Sequence, residues 1–280
     1  PDGNLTASLT LSGLEPLPGA LNYQAWLVAG TPTDFWGYPL VLFDVDPEGR
    51  MVDAVEDTLL TGPFPADLDP ASVLGVAVSL EASDTLRAYS SYTFVLGGDA
   101  VEGTAQLSTD HWIALGGALT GAGGRYVLTS PTTETSEDEL SGIWFMDPTG
   151  DPVTPGLDLP EAPVGWNYEG WLTLGEEVLS TGKFLEPSLA DSSAIYSGAS
   201  TPPPFPGEDF VNGAPVGVSF PADLAGASLR ITLEPWAEWD VEPQLPFFLE
   251  ILEAQVPADP VSGTPRARRR RCSPPAGRGQ

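Results

Sequence analysis

Glycine fills 31 and proline 30 of the 280 positions, and this punctuation constrains the fold more than any other feature. Proline removes a backbone donor and glycine loosens the chain, so turns recur every few residues and long helices have little room. Between the turns lie short runs that alternate apolar with polar residues, or are rich in β-branched and aromatic side chains. They fall at residues 5–12 (LTASLTLS), 23–28 (YQAWLV), 40–45 (LVLFDV), 73–80 (VLGVAVSL) and 92–96 (YTFVL). The second half adds 125–129 (RYVLT), 142–146 (GIWFM), 168–174 (YEGWLTL), 216–220 (VGVSF), 228–234 (SLRITLE) and 246–252 (PFFLEIL). No segment keeps a helical apolar stripe for three turns. The pattern predicts an all-β protein of sandwich or barrel type.

An internal repeat organises these strands. Asn22-Tyr23-Gln24-Ala25-Trp26-Leu27 returns as Asn167-Tyr168-Glu169-Gly170-Trp171-Leu172. Thr61-Gly62-Pro63-Phe64 answers Thr181-Gly182-Lys183-Phe184, and Val78-Ser79-Leu80-Glu81 answers Ile231-Thr232-Leu233-Glu234. Three matches in one order predict two tandem related β-sandwich-like domains, over residues 1–105 and 125–257. Residues 106–124, with GGALTGAGG at 116–124, form a Gly-rich linker or a shared strand, and 258–280 a disordered basic tail. A large aromatic on a central strand fills a sandwich core, which is the expectation for Trp26 and Trp171.

Charge narrows the function. The formal net charge is −28, and six of the 11 basic residues (Arg266, Arg268, Arg269, Arg270, Arg271 and Arg278) crowd the C-terminus. Five basic residues are left to face all 39 acids, a net of −34 over residues 1–263. Such a body repels nucleic acid and anionic lipid over a Debye length of about 8–10 Å. No apolar run approaches the ~20 residues that cross a bilayer as a helix. The single cysteine, Cys272, lies in the tail, so residues 1–271 hold no disulfide and no thiolate metal site. Low lysine with abundant Gly, Pro, Ser and Thr suits a bacterial periplasmic or secreted protein whose export signal is not in this chain.

Several segments together carry a family likeness: Leu128-Thr129-Ser130-Pro131-Thr132, Gly142-Ile143-Trp144-Phe145, Gly165-Trp166-Asn167-Tyr168-Glu169-Gly170-Trp171, Ser180-Thr181-Gly182-Lys183-Phe184, Pro203-Pro204-Phe205-Pro206-Gly207-Glu208-Asp209-Phe210 and Thr232-Leu233-Glu234-Pro235. They resemble poorly characterised exported bacterial proteins, which are in turn similar to the extracytoplasmic β-domain of anti-sigma-K-type factors. The resemblance spans about 125–257 and is faint over 1–105. It implies an exported β-sandwich-like module. It implies no sigma-factor binding, because the helical domain and membrane helix that serve it have no counterpart here, and it carries no catalytic residues.

Chemistry-bearing constellations are sparse. His111 is the only histidine, so a Ser-His-Asp or Cys-His arrangement would need it, and zinc or haem sites lack ligands. Asp44, Asp46 and Glu48 alternate in a loop as oxygen ligands of calcium would, although they miss the EF-hand spacing. No phosphate-cradling glycine motif is present. A carboxylate-based hydrolase remains a third reading behind two binding readings. Aromatics beyond the needs of two cores (Phe35, Trp36, Tyr38, Trp236 and Trp239) and the extended segment at Pro203, Pro204 and Phe205 are expected to meet a partner. Arg268, Arg269, Arg270 and Arg271 are expected to touch anionic lipid or the acidic body. The sequence therefore predicts a non-catalytic protein without cofactor, an extrinsic subunit of a membrane protein assembly or, alternatively, a carbohydrate-binding envelope protein.

Overall fold

A computed structural model describes residues 5–116, 120–135, 138–236 and 240–267. Among these there is no α-helix, and the strands form several antiparallel sheets, one of them curled into a half-barrel. The first half contributes β1 (Leu5–Ala7), β2 (Asn22–Thr31), β3 (Asp34–Val45), β4 (Met51–Asp53), β5 (Phe64–Ala66), β6 (Val73–Glu81), β7 (Phe94–Val101) and β8 (Thr104–Ala105). Its main sheet has the order β4-β3-β2-β6-β7-β8, and β1 pairs with β5 alone. The second half contributes β9 (Gly123–Leu128), β10 (Gly142–Trp144), β11 (Met146–Asp147), β12 (Thr154–Pro155), β13 (Leu157–Asp158) and β14 (Trp166–Leu174). It continues with β15 (Glu177–Phe184), β16 (Gly207–Asp209), β17 (Ser228–Pro235), β18 (Glu250–Gln255) and β19 (Arg266–Ala267). One sheet runs β15-β14-β17-β18, another β13-β9-β10-β16 with β19 also paired to β9, and β11 pairs with β12.

Central strands β2 and β14 are buried on both faces. Tyr23, Ala25, Leu27 and Ala29 join the apolar core, while Gln24 and Trp26, pointing the other way, are equally enclosed. Buried apolar side chains from Leu21 to Val256 form the core, and one continuous cluster of them draws on both halves.

The two central strands share their register in detail. Tyr23 faces Phe43 on one side and Leu80 on the other, and Tyr168 faces Phe184 and Leu233. Each pairing with the neighbouring hairpin strand slips one residue before the tryptophan, between Ala25 and Trp26 and between Gly170 and Trp171. Both indoles are buried, at 2% and 1% exposure. The match of Thr61–Phe64 with Thr181–Phe184 is not structural. Phe64 pairs with Ala7 at an edge, and Phe43 in β3 is the residue that stands where Phe184 does.

The fold departs from the sequence reading at three further points. Residues 216–220 form no strand, because Gly217 takes a φ of +103° between Pro215 and Pro221, and Val216 is 96% exposed. Gly123 and Gly124 begin β9, so this strand starts inside the segment read as a Gly-rich linker or shared strand. The polar-looking segment of β15 is a full strand that the sequence analysis passed over.

Candidate functional site

In both main sheets the tryptophan anchors a buried carboxylate. The Trp26 indole N–H donates to Ser79 Oγ at 2.8 Å, and that hydroxyl donates to Glu81 Oε1 at 2.5 Å. Glu81 Oε1 also accepts the Ser91 backbone N–H at 3.1 Å. Likewise, Trp171 donates to Thr232 Oγ1 at 2.9 Å, Thr232 donates to Glu234 Oε1, and the Phe247 N–H reaches the same oxygen at 2.8 Å. Ser91 and Phe247 lie on the loops that join the next two strands, β6 to β7 and β17 to β18. Each carboxylate therefore fastens a crossing loop over the outer face of its sheet. In each case Oε1 takes every donor and the buried Oε2 has none. Burial raises the pKa of both Glu81 and Glu234 above the usual carboxylate range.

A third tryptophan, Trp144, donates to Asp209 Oδ1 at 2.7 Å, and the Thr132 N–H donates to Asp209 Oδ2 at 2.8 Å. Neighbouring Asp191 accepts the Ser193 and Gly207 amides at 2.9 and 2.7 Å, and its pKa is pushed up to about 7, chiefly by desolvation. Gly182 lets Asp191 approach. It sits at φ +106°, and a Cβ there would lie 2.6 Å from Asp191 Oδ1.

Next to Gly182 lies a cluster of three largely buried charged side chains. Cross-strand pairing of β14 with β15 sets Glu169 opposite Lys183. Lys183 Nζ lies 2.6 Å from Asp240 Oδ2 and 3.7 Å from Glu169 Oε2. The Lys183, Asp240 and Glu169 side chains are only 18%, 4% and 4% exposed. Glu169 Oε1 accepts the Ser180 hydroxyl, whereas Oε2 has no hydrogen-bond partner. Desolvation drives the Glu169 pKa up to about 7, against the Ser180 hydrogen bond and the Lys183 charge; Glu234 and Asp240 push it further up. Sequence reading missed this cluster. Its one legible signal was that Lys183 is the only lysine of the chain.

The residues singled out from sequence are dispersed. Asp46 accepts the Glu48 and Arg50 amides and the Arg50 guanidinium, and Glu48 also pairs with Arg50. Asp44 accepts the Val45 and Leu17 amides. These carboxylates close a turn instead of converging, and no group of three or more acidic, His or Cys residues among the described residues is arranged for a metal ion. His111 Nε2 pairs with Asp99 Oδ1 at 3.2 Å, and its Nδ1 accepts the Ile113 N–H at 3.3 Å.

Phe35 and Trp36 are 44% and 51% exposed on the outer end of β3, where only β2 flanks the strand. On one face Phe35 meets Trp112 edge-on, with centroids 5.5 Å apart; on the other Trp36 stands 6.3 Å from Tyr38. Trp112, 64% exposed, was not among the residues expected to meet a partner. Pro203 is half-buried and Pro204 exposed, but Phe205 is buried at 8%. Phe205 is therefore no docking residue: the segment turns inward to β16, and the Phe145 N–H bonds to Pro206 O at 2.9 Å. Trp236 is half-buried, its backbone N–H donating to Gly165 O at 2.9 Å. Trp239, Arg268, Arg269, Arg270 and Arg271 lie outside the described residues. Comparison of the chain with protein-family models, with curated proteins and with solved structures found no match.

Proposed function

We propose that the chain is a non-catalytic binding and scaffolding protein of the bacterial cell envelope, an extrinsic structural subunit on the periplasmic face of a membrane protein assembly. The observation that carries this reading is the exposure of aromatics on both faces at one end of an otherwise well-buried sheet, Phe35 with Trp112 on one face and Trp36 on the other. Exposed aromatics clustered on a rigid strand are the kind of surface that anchors protein interfaces. The repeated Trp–hydroxyl–Glu arrangement supports the idea of two related units, with acids that fasten loops rather than act on a substrate. A body of −34 gains nothing from anionic head groups, so attachment rests on apolar contact, which salt does not screen.

The test is retention on native membranes washed with ~1 M salt, where Debye screening shrinks to about 3 Å. The unaltered protein is expected to stay bound, and a Trp36→Ser/Trp112→Ser variant of unchanged melting temperature to be released. Release of the unaltered protein by salt, or equal retention of both proteins, overturns the reading. The alternative, glycan binding, draws on Trp112 standing 5.5 Å from His111, itself paired with the exposed Asp99. Calorimetric titration with neutral envelope glycans separates the two.

A further inference from the structure

A lone lysine is ordinarily a solvated surface residue, because burying an ammonium is costly unless it is paired. Lys183 is instead held between Asp240 and Glu169, two carboxylates that are themselves almost wholly buried. The contacts are unequal. Asp240 Oδ2 touches Nζ at 2.6 Å, while Asp240 Oδ1 accepts the Glu242 backbone N–H at 3.1 Å. Glu169 presents to Nζ, at 3.7 Å, the oxygen that has no hydrogen-bond partner. An amine, a carboxyl carbon with a donor on its second oxygen, and an idle buried acid beside them are the parts needed to form an amide.

We propose that Lys183 and Asp240 become joined by an intramolecular isopeptide bond between Nζ and Cγ, with Glu169 as the proton carrier. The Lys183 ammonium first passes one proton to Asp240 Oδ2, leaving a neutral amine beside a carboxylic acid. The Nζ lone pair then adds to Cγ, and the carbonyl electron pair moves onto Oδ1, where the Glu242 N–H stabilises it. Glu169 takes a proton from the new ammonium centre and delivers it to the Oδ2 hydroxyl. The Cγ–Oδ2 bond breaks, water departs and the carbonyl re-forms. One ammonium and one carboxylate become one amide and one water, and Glu169 ends as it began. A Glu169 pKa near 7 suits a group that both takes and gives this proton. Burial supplies the rest: held in contact, the pair reacts as a unimolecular system, and a dry site favours loss of water.

The bond ties the edge strand β15 to the connection between β17 and β18, closing a span of 57 positions. Outside the tail the chain has no cysteine, so this is a covalent brace that disulfides do not provide.

Because the chain has no second lysine, the test is unambiguous. Intact mass spectrometry of the full-length protein is expected to give a mass one water below that of the sequence. A lysine-specific protease should leave the chain uncut at Lys183, and cleavage at arginine should yield a branched peptide in which residues 126–230, with Lys183, stay joined to residues 231–266, with Asp240. Glu169→Gln, checked for a cooperative melt, should fold and show the full mass, as should Asp240→Ala. An unaltered chain of full mass, or a deficit that maps elsewhere, overturns the bond. A deficit retained by Glu169→Gln overturns the part given to Glu169.

Discussion

Truncating Trp171 to alanine is expected to lower the unfolding free energy by about 3–5 kcal/mol, and Trp26→Ala by a similar amount. Each indole is almost wholly enclosed, so its loss removes transfer free energy and leaves a cavity that a closely paired sheet cannot collapse to fill. The N–H adds a smaller part, which Trp→Phe isolates. The phenyl ring keeps most of the volume but leaves Ser79 or Thr232 without its donor, at about 1–2 kcal/mol. The matching registers and hydrogen bonds lead to a sharper expectation: the ratio of the two costs should be similar at both positions. Urea unfolding, read at constant m-value, measures all four variants. A cost under about 1 kcal/mol for either alanine variant would show that the indole is not a core anchor.

The same anchors explain which parts of the molecule could be read in advance. β2, β6, β14 and β17 were visible because strands buried on both faces need apolar or β-branched residues at nearly every position. Their repeat was visible because tryptophan, hydroxyl and glutamate must recur together for the indole N–H and the loop amide to be satisfied. Residues 216–220 imitated a strand in composition, but Gly217 adopts a backbone conformation that no pleat accommodates. Phe205 looked exposed because prolines surround it, yet those prolines lead the chain into β16. The Lys183 cluster was illegible for a different reason. Asp240 lies 57 positions away, and only pairing of β14 with β15 and β17 brings Glu169, Lys183 and Asp240 together. In a chain with 39 acids, nothing local marks which of them are buried.

Those buried acids give the second large effect, an inverted dependence of stability on pH. Glu169 rises from 4.5 to about 7 and Asp191 from 3.8 to about 7, with desolvation the leading cause for both. Glu81, Glu208, Asp209 and Glu234 are raised for the same reason. A carboxyl whose pKa is higher folded than unfolded holds its proton more tightly in the native state. Between the two values the native state binds more protons, so stability falls as pH rises. The contribution is fully present below the unfolded pKa and is gone once pH passes the folded one. For Glu169 that window runs from about 4.5 to about 7, and the loss across it is on the order of 3 kcal/mol. Asp46, Asp53 and Asp147 are shifted the other way by their hydrogen bonds, and they act only below the usual carboxylate range. Burial, the larger cause for Glu169, is the same whether Lys183 and Asp240 stand as an ion pair or as an amide. The urea midpoint is therefore expected to be higher at pH 5 than at pH 8, and Glu169→Gln should flatten part of that slope, since glutamine has no proton to lose. A midpoint that climbs from pH 5 to pH 8 would mean that these carboxyls ionise without penalty, and that water reaches them where the fold encloses them.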